Sequence, residues 1–133
     1  MARGGLGFEG IGAKYVTVQA AGSVSAVALA SGAAYVEGKA VTCEGDGLFG
    51  FGSAGDALRG IIDKYEKDHY MTVQFAGFKE NVPGVSGALP AAKEYLVVDG
   101  SGAVSEVATP VNGAYAVEVD GTADVNVVTV FIG

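Results

Sequence analysis

The sequence predicts an all-β fold: a small β-barrel, with a β-sandwich as the alternative, carrying a glycine-rich N-terminal arm and at most one short helix. Three observations predict it. Most segments are short and alternate apolar with polar residues, the period of a strand with one buried face. Glycine is 22 of 133 residues and punctuates these segments as turns, while proline is only three. The chain is half hydrophobic and 17% charged, a balance that favours one packed core over disorder. The domain organisation follows as an arm over residues 1–13 and one barrel domain over residues 14–133.

Taken in order, the arm holds Gly4, Gly5, Gly7, Gly10 and Gly12, with Leu6, Phe8 and Ile11 between them. Glycine loses the most backbone entropy on ordering, so the arm is expected to move when free. It is either a plain tail or a docking arm whose anchors are Leu6, Phe8 and Ile11. Lys14 to Ala20 alternates and reads as the first strand. Ser23 to Leu29 reads as a second, weaker one, Ala34-Tyr35-Val36 as a short piece, and Lys39 to Glu44 as a further strand ended by Gly45-Asp46-Gly47. Cys43 is expected to be a small buried residue there. Leu48 to Gly52 alternates aromatic residues with glycine, as at a bulge.

Residues 53–68 admit a helix or a strand; Gly60 and an available hairpin partner favour the strand. That partner is Tyr70 to Gly77, with Met71, Val73 and Phe75 on the buried face. The charged run Asp63 to His69 marks the solvated hairpin tip. Residues 79–90 read as a loop. Glu94–Asp99 and Ala103–Val107 pair across Asp99-Gly100-Ser101-Gly102. Pro110 to Gly113 is a turn. Ala114 to Val119 and Val125 to Ile132 close the chain, the last so apolar that it must be buried on both faces or covered by another subunit. A weak internal repeat is visible. Lys39–Gly47 resembles Lys93–Gly102, with Gly45 and Gly100 spaced 55 positions apart, and Thr72-Val73 resembles Thr129-Val130.

Net charge is −7, which disfavours nucleic acid as a partner. Cys43 is the only cysteine, so neither an internal disulfide nor a cysteine-based metal site is expected. No signal-peptide h-region and no membrane-length apolar run are visible, so the chain is expected to be made in a cytoplasm without export or membrane contact. Two G-x-G-x-x-G matches, Gly5–Gly10 and Gly45–Gly50, lack the strand-then-helix context of a dinucleotide site. His69 is the only histidine and lies at the hairpin tip, a poor place for a base or a zinc ligand. Asp46, Asp99 and Asp120 beside glycines read as turn residues, without the ligand spacing of a calcium loop. Asp63, Glu66, Asp68 and Glu80 lack the aromatic cleft that paired glycosidase carboxylates need. No catalytic residue, cofactor or metal is expected.

Gly60-Ile61-Ile62-Asp63, then Thr72-Val73-Gln74-Phe75-Ala76-Gly77, Leu89-Pro90-Ala91 and Tyr95-Leu96-Val97-Val98-Asp99-Gly100-Ser101-Gly102-Ala103-Val104 form an ordered series. The series resembles the small capsid-decoration, or cement, proteins of tailed bacteriophages, as does the ending Ala114–Glu118, Asp120-Gly121 and Val127–Ile132. The likeness covers about residues 24–133. Lys93, where the family often has glycine, the longer tip Lys64–His69 and the arm depart from it. The resemblance implies a structural virion protein, not an enzyme. It would sit on the capsid surface as a homo-oligomer, a trimer being favoured, with the major capsid protein as partner. The alternatives are a β-rich binding module of a phage tail or adhesin that recognises carbohydrate, and a small barrel enzyme.

Overall fold

The computed structural model describes residues 10–66, 68–85, 89–90, 93–107, 114–122 and 125–133. In order, the elements are β1 (Lys14–Ala20), α1 (Gly22–Ser31), α2 (Ala33–Val36), β2 (Ala40–Gly45), β3 (Leu48–Gly50), β4 (Gly60–Tyr65), β5 (Tyr70–Pro83), β6 (Tyr95–Val98), β7 (Val104–Val107), β8 (Tyr115–Thr122) and β9 (Val125–Ile132). The fold is all-β, as the sequence predicts. Strands follow the order β1-β3-β2-β4-β5-β9-β8-β6-β7, and β1 also pairs with β5. That extra pairing closes β1, β3, β2, β4 and β5 into a five-stranded barrel.

The 53–68 ambiguity resolves to strand. β4 and β5 form the expected hairpin, with Ile61 opposite Gln74, Ile62 opposite Val73 and Tyr65 opposite Met71. β5 is the longest strand because it serves both halves. Tyr70 to Ala76 closes the barrel against β1, and Gly77 to Pro83 pairs with β9. The loop expected over 79–90 therefore begins later, and residues 79–83 are strand. Asn81, at φ 61°, sits where the β5–β9 register shifts between Lys79 and Val82. Such a bulge is what the turn-like composition around Asn81 and Pro83 encodes.

The internal repeat is a repeat of topology. β2 and β6 begin at Ala40 and Tyr95, β4 and β8 at Gly60 and Tyr115, and β5 and β9 at Tyr70 and Val125, each pair 55 positions apart. The orders β3-β2-β4-β5 and β7-β6-β8-β9 match. The closing strand is also repeated. β1 runs antiparallel to β5 and parallel to β3. The second part of β5 runs antiparallel to β9, and just beyond it Gly84 bridges Val104 of β7 in parallel. One strand thus closes one half and begins the other.

The halves differ in what joins closing strand to hairpin. Residues 21–39 carry both helices, whereas the described residues among 84–94 form none. The strand expected over Ser23–Leu29 is α1, and the piece Ala34–Val36 is α2, so there are two short helices where at most one was expected. Alternation of serine with small apolar residues mimics a strand, but alanine and leucine are strong helix formers. Val24 and Ala28, four apart, are the buried residues of α1. Gly32, at φ 99°, ends the helix and donates its N–H to the Ala28 carbonyl.

Two clusters form the core. Inside the barrel, Ala20, Val41, Ile62, Tyr65, Met71 and Val73 pack with Val24 and Ala28 of α1 and Val36 of α2, which stopper one end. In the second half, Val82, Leu96, Val98, Val104, Ala116, Val128, Val130 and Ile132 pack together, with Leu89 against them. Ala40, Leu58 and Ile61 of the first half belong to this second cluster and weld the two. β9 is flanked by β5 and β8 within the chain, and the Phe131 ring meets those of Phe78 and Tyr115 at 4.9 and 5.3 Å. The apolar pattern of this strand is thus matched by cover within the chain.

Candidate interaction surface

One side of the first barrel has unusual chemistry. From Tyr15 to Val36, 22 residues carry no charge, in a chain of net charge −7. This run is β1 after Lys14, then α1 and α2. It contains the exposed Tyr15, Val16, Leu29 and Tyr35, and the adjoining β5 adds exposed Tyr70 and Phe75. Scattered exposed apolar residues are ordinary, but a concentration of them on an uncharged side marks a contact surface.

The sharpest feature is an apolar recess of about 350 Å³ lined by Val16, Cys43, Phe49, Arg59 and Phe75. On their strands Val16, Cys43 and Phe75 lie two residues beyond Val18, Val41 and Val73, which face the barrel core. Alternation carries the inward face outward to the barrel's mouth. Phe75 was expected on the buried face with Met71 and Val73. It is instead 41% exposed, and Gln74 is fully buried. The cause is a register shift: Tyr15 pairs with Gln74 and Lys14 with Ala76, so β1 skips Phe75. Cys43, expected to be buried, is exposed on the rim of the recess, where its Sγ lies 3.2 Å from the Gly45 carbonyl.

Gln74 answers the bulge. Its Nε2 donates to the Ala76 and Phe78 carbonyls at 3.1 and 3.0 Å, while Oε1 is buried without a partner. Beside it the first residues of the described chain join the barrel. Gly10 donates its N–H to the Phe78 carbonyl, and Phe78 donates back to Ile11. Gly77, at φ 93°, leaves room for the Gly12 and Ala13 backbone that a Cβ would strike. Of the three anchors expected in the arm, Ile11 is 55% exposed next to this joint. Leu6 and Phe8 lie outside the described residues, as does the expected turn at Pro110–Gly113.

The polar groups brought together are tied to one another. Glu44 accepts from the Ser23 hydroxyl at 2.6 Å and from the Gly52 N–H at 2.7 Å, and Ser23 Oγ accepts the Phe51 N–H. This arrangement pins the start of α1 to the barrel strands. Asp99 accepts from Ser101 and Ala103 and organises its turn. His69, at φ 66°, lies at the hairpin tip with Nδ1 3.3 Å from the Tyr65 hydroxyl. Burial pushes the Tyr65 phenol above its ordinary 10.0. Among the described residues no group of three or more His, Cys, Asp or Glu side chains is arranged to hold a metal, and no helix is long and apolar enough to cross a membrane.

Sequence reasoning missed the recess because it needed the β5 bulge and the barrel's closure. The uncharged run lies in the sequence as one block, but its strand-like alternation breaks it into separate elements. No family model matches the chain, and no curated protein aligns with it significantly.

Proposed function

We propose that the protein is a structural virion protein that binds the outside of a phage capsid and stabilises it, acting by contact and without chemistry or cofactor. Its partner is the major capsid protein, and it sits on the virion surface as a homo-oligomer, a trimer being favoured, after synthesis in the host cytoplasm. The observation that carries this reading is the uncharged run of the first barrel together with its apolar recess, in whose lining Arg59 is the one charged residue. An acidic domain that leaves such a surface uncovered is suited to docking on another protein. The ordered motif resemblance supplies the identity of that protein.

In this reading the recess accepts an apolar side chain of the capsid, and the arm adds Leu6, Phe8 and Ile11 as further anchors. Undecorated heads mixed with the protein and sedimented test it. Wild-type protein pellets with heads to saturation. Phe75→Lys, which removes an apolar wall of the recess and adds a second cation beside Arg59, weakens attachment by about tenfold or more, the scale of one lost buried apolar contact. Deleting residues 2–9 weakens attachment while leaving the melting of the barrel unchanged. Failure of the wild-type protein to pellet at any concentration overturns the reading.

A further inference from the structure

The apolar recess does not stand alone. Cys43, on its rim, also lines a second hollow of about 340 Å³, whose other walls are Ser23, Glu44, Gly52, Ser53 and Asp56. The two therefore adjoin, with Cys43 between them. The recess is apolar almost throughout, so Arg59 lines it with its aliphatic stem. The second hollow brings two carboxylates to one glycine. Gly52, at φ 66°, donates its N–H to Glu44 Oε2 at 2.7 Å, and Asp56 Oδ2 lies 2.9 Å from where a Cβ on Gly52 would stand. The bonds that orient these carboxylates fall on Oε2 of Glu44 and Oδ2 of Asp56. A carboxylate accepts at both oxygens, so each retains capacity for a further donor. None of the residues lining this hollow is a cation.

We infer that recess and hollow form one groove for an extended segment of the capsid protein, in which an apolar side chain fills the recess and a nearby lysine or arginine of the same segment meets Glu44 and Asp56. Charge selects this occupant and its direction. Two carboxylates drawn to one glycine repel each other, and a cation between them relieves that repulsion. An acidic side chain there would add a third negative charge, in a chain already at −7. Arg59 repels a cation from the other half, so the basic residue goes to the carboxylates and the apolar one to Val16, Phe49 and Phe75. The inference rests on the capsid reading for the identity of the partner and names the chemistry that reading leaves open. The groove itself is measured without heads, so failure of the groove and failure of the capsid reading are separate results.

Cys43 is the only cysteine and is exposed, so it serves as a handle for the test. The full chain is equilibrated with a thiol–disulfide mixture of 2-mercaptoethanol, 2-aminoethanethiol, 3-mercaptopropionate and 2-phenylethanethiol. Mass spectrometry reads each adduct on Cys43 as a ratio to the 2-mercaptoethanol adduct, normalised to the same ratio in urea. The folded protein is expected to favour the amine and phenyl adducts by about threefold or more and to disfavour the carboxylate adduct. Asp56→Asn and Glu44→Gln lower the amine preference and keep the phenyl one, while Phe75→Ala does the reverse. Glu106→Gln, the same change of charge at an exposed position of β7, alters neither. A carboxylate adduct equal to the amine adduct overturns the inference. So does an amine preference that survives both Asp56→Asn and Glu44→Gln in protein that circular dichroism shows to be folded. On heads, Asp56→Asn is expected to weaken attachment by about threefold and Glu106→Gln to leave it unchanged. Equal attachment of these two variants overturns the assignment of the groove to the capsid segment. Heads that bind no wild-type protein fail the capsid reading, and the adduct ratios still decide the chemistry of the groove.

Discussion

Gln74 shows how one side chain settles a local problem. It is buried where the sequence pattern places a polar, outward residue, and its amide N–H groups reach the Ala76 and Phe78 carbonyls beside the bulge. A carboxylate cannot donate there. Gln74→Glu is expected to lose about 3 kcal/mol or more, seen in urea unfolding, because it buries a charge against carbonyl oxygens. The loss eases as pH falls and the new carboxyl gains a proton. Gln74→Leu removes the donor without adding charge and is expected to lose less. Tyr65 gives a second residue-scale test. Its folded phenol holds its proton above the ordinary 10.0, so the unfolded chain ionises first. The stability it contributes is complete below about pH 10 and falls as pH rises further. The difference in unfolding free energy between wild type and Tyr65→Phe should narrow over that range, and a difference independent of pH would contradict the assignment.

At the scale of elements, glycine positions divide into two kinds. Gly77 combines positive φ with the backbone of Gly12 and Ala13 pressed where a Cβ would lie. Gly55, at φ 95°, has open space around it. Gly77→Ala is expected to cost about 2–4 kcal/mol, and Gly55→Ala only the backbone strain of about 1 kcal/mol, measured by thermal or urea unfolding. The same contrast explains what could be read from sequence. The β4–β5 hairpin is legible from alternation and its charged tip, β6–β7 from its Asp99–Gly102 turn, and β9 from its long apolar run. α1 was not, since Ser23-Val24-Ser25-Ala26 alternates like a strand while its helical stripe, Val24 and Ala28, is only two residues deep. The end of β5 was hidden by Asn81 and Pro83, which a bulged strand shares with a loop. The recess was hidden for a different reason: its residues come from separate strands, and only closure of the barrel collects them.

For the whole molecule, the shared strand and shared core make one cooperative unit of two topologically similar halves. Val73 serves the first core, Val82 the second, and both belong to β5. Leu58 and Ile61 leave the first half to enter the core of the second. Unfolding should therefore be a single transition, with far-ultraviolet and tyrosine signals coinciding. Leu58→Ala, which empties a fully buried site at the weld, should lower the whole transition by about 2–5 kcal/mol without splitting it. A split transition would show that the halves fold separately. A cooperative unit with one uncharged side is well suited to act as a rigid clip on a larger shell. Electron cryomicroscopy of undecorated heads mixed with saturating protein tests that claim most directly. The account predicts ordered density outside the shell at symmetry-related positions, with the barrel's uncharged side against the capsid or a neighbouring copy. A bare capsid surface under those conditions would contradict it.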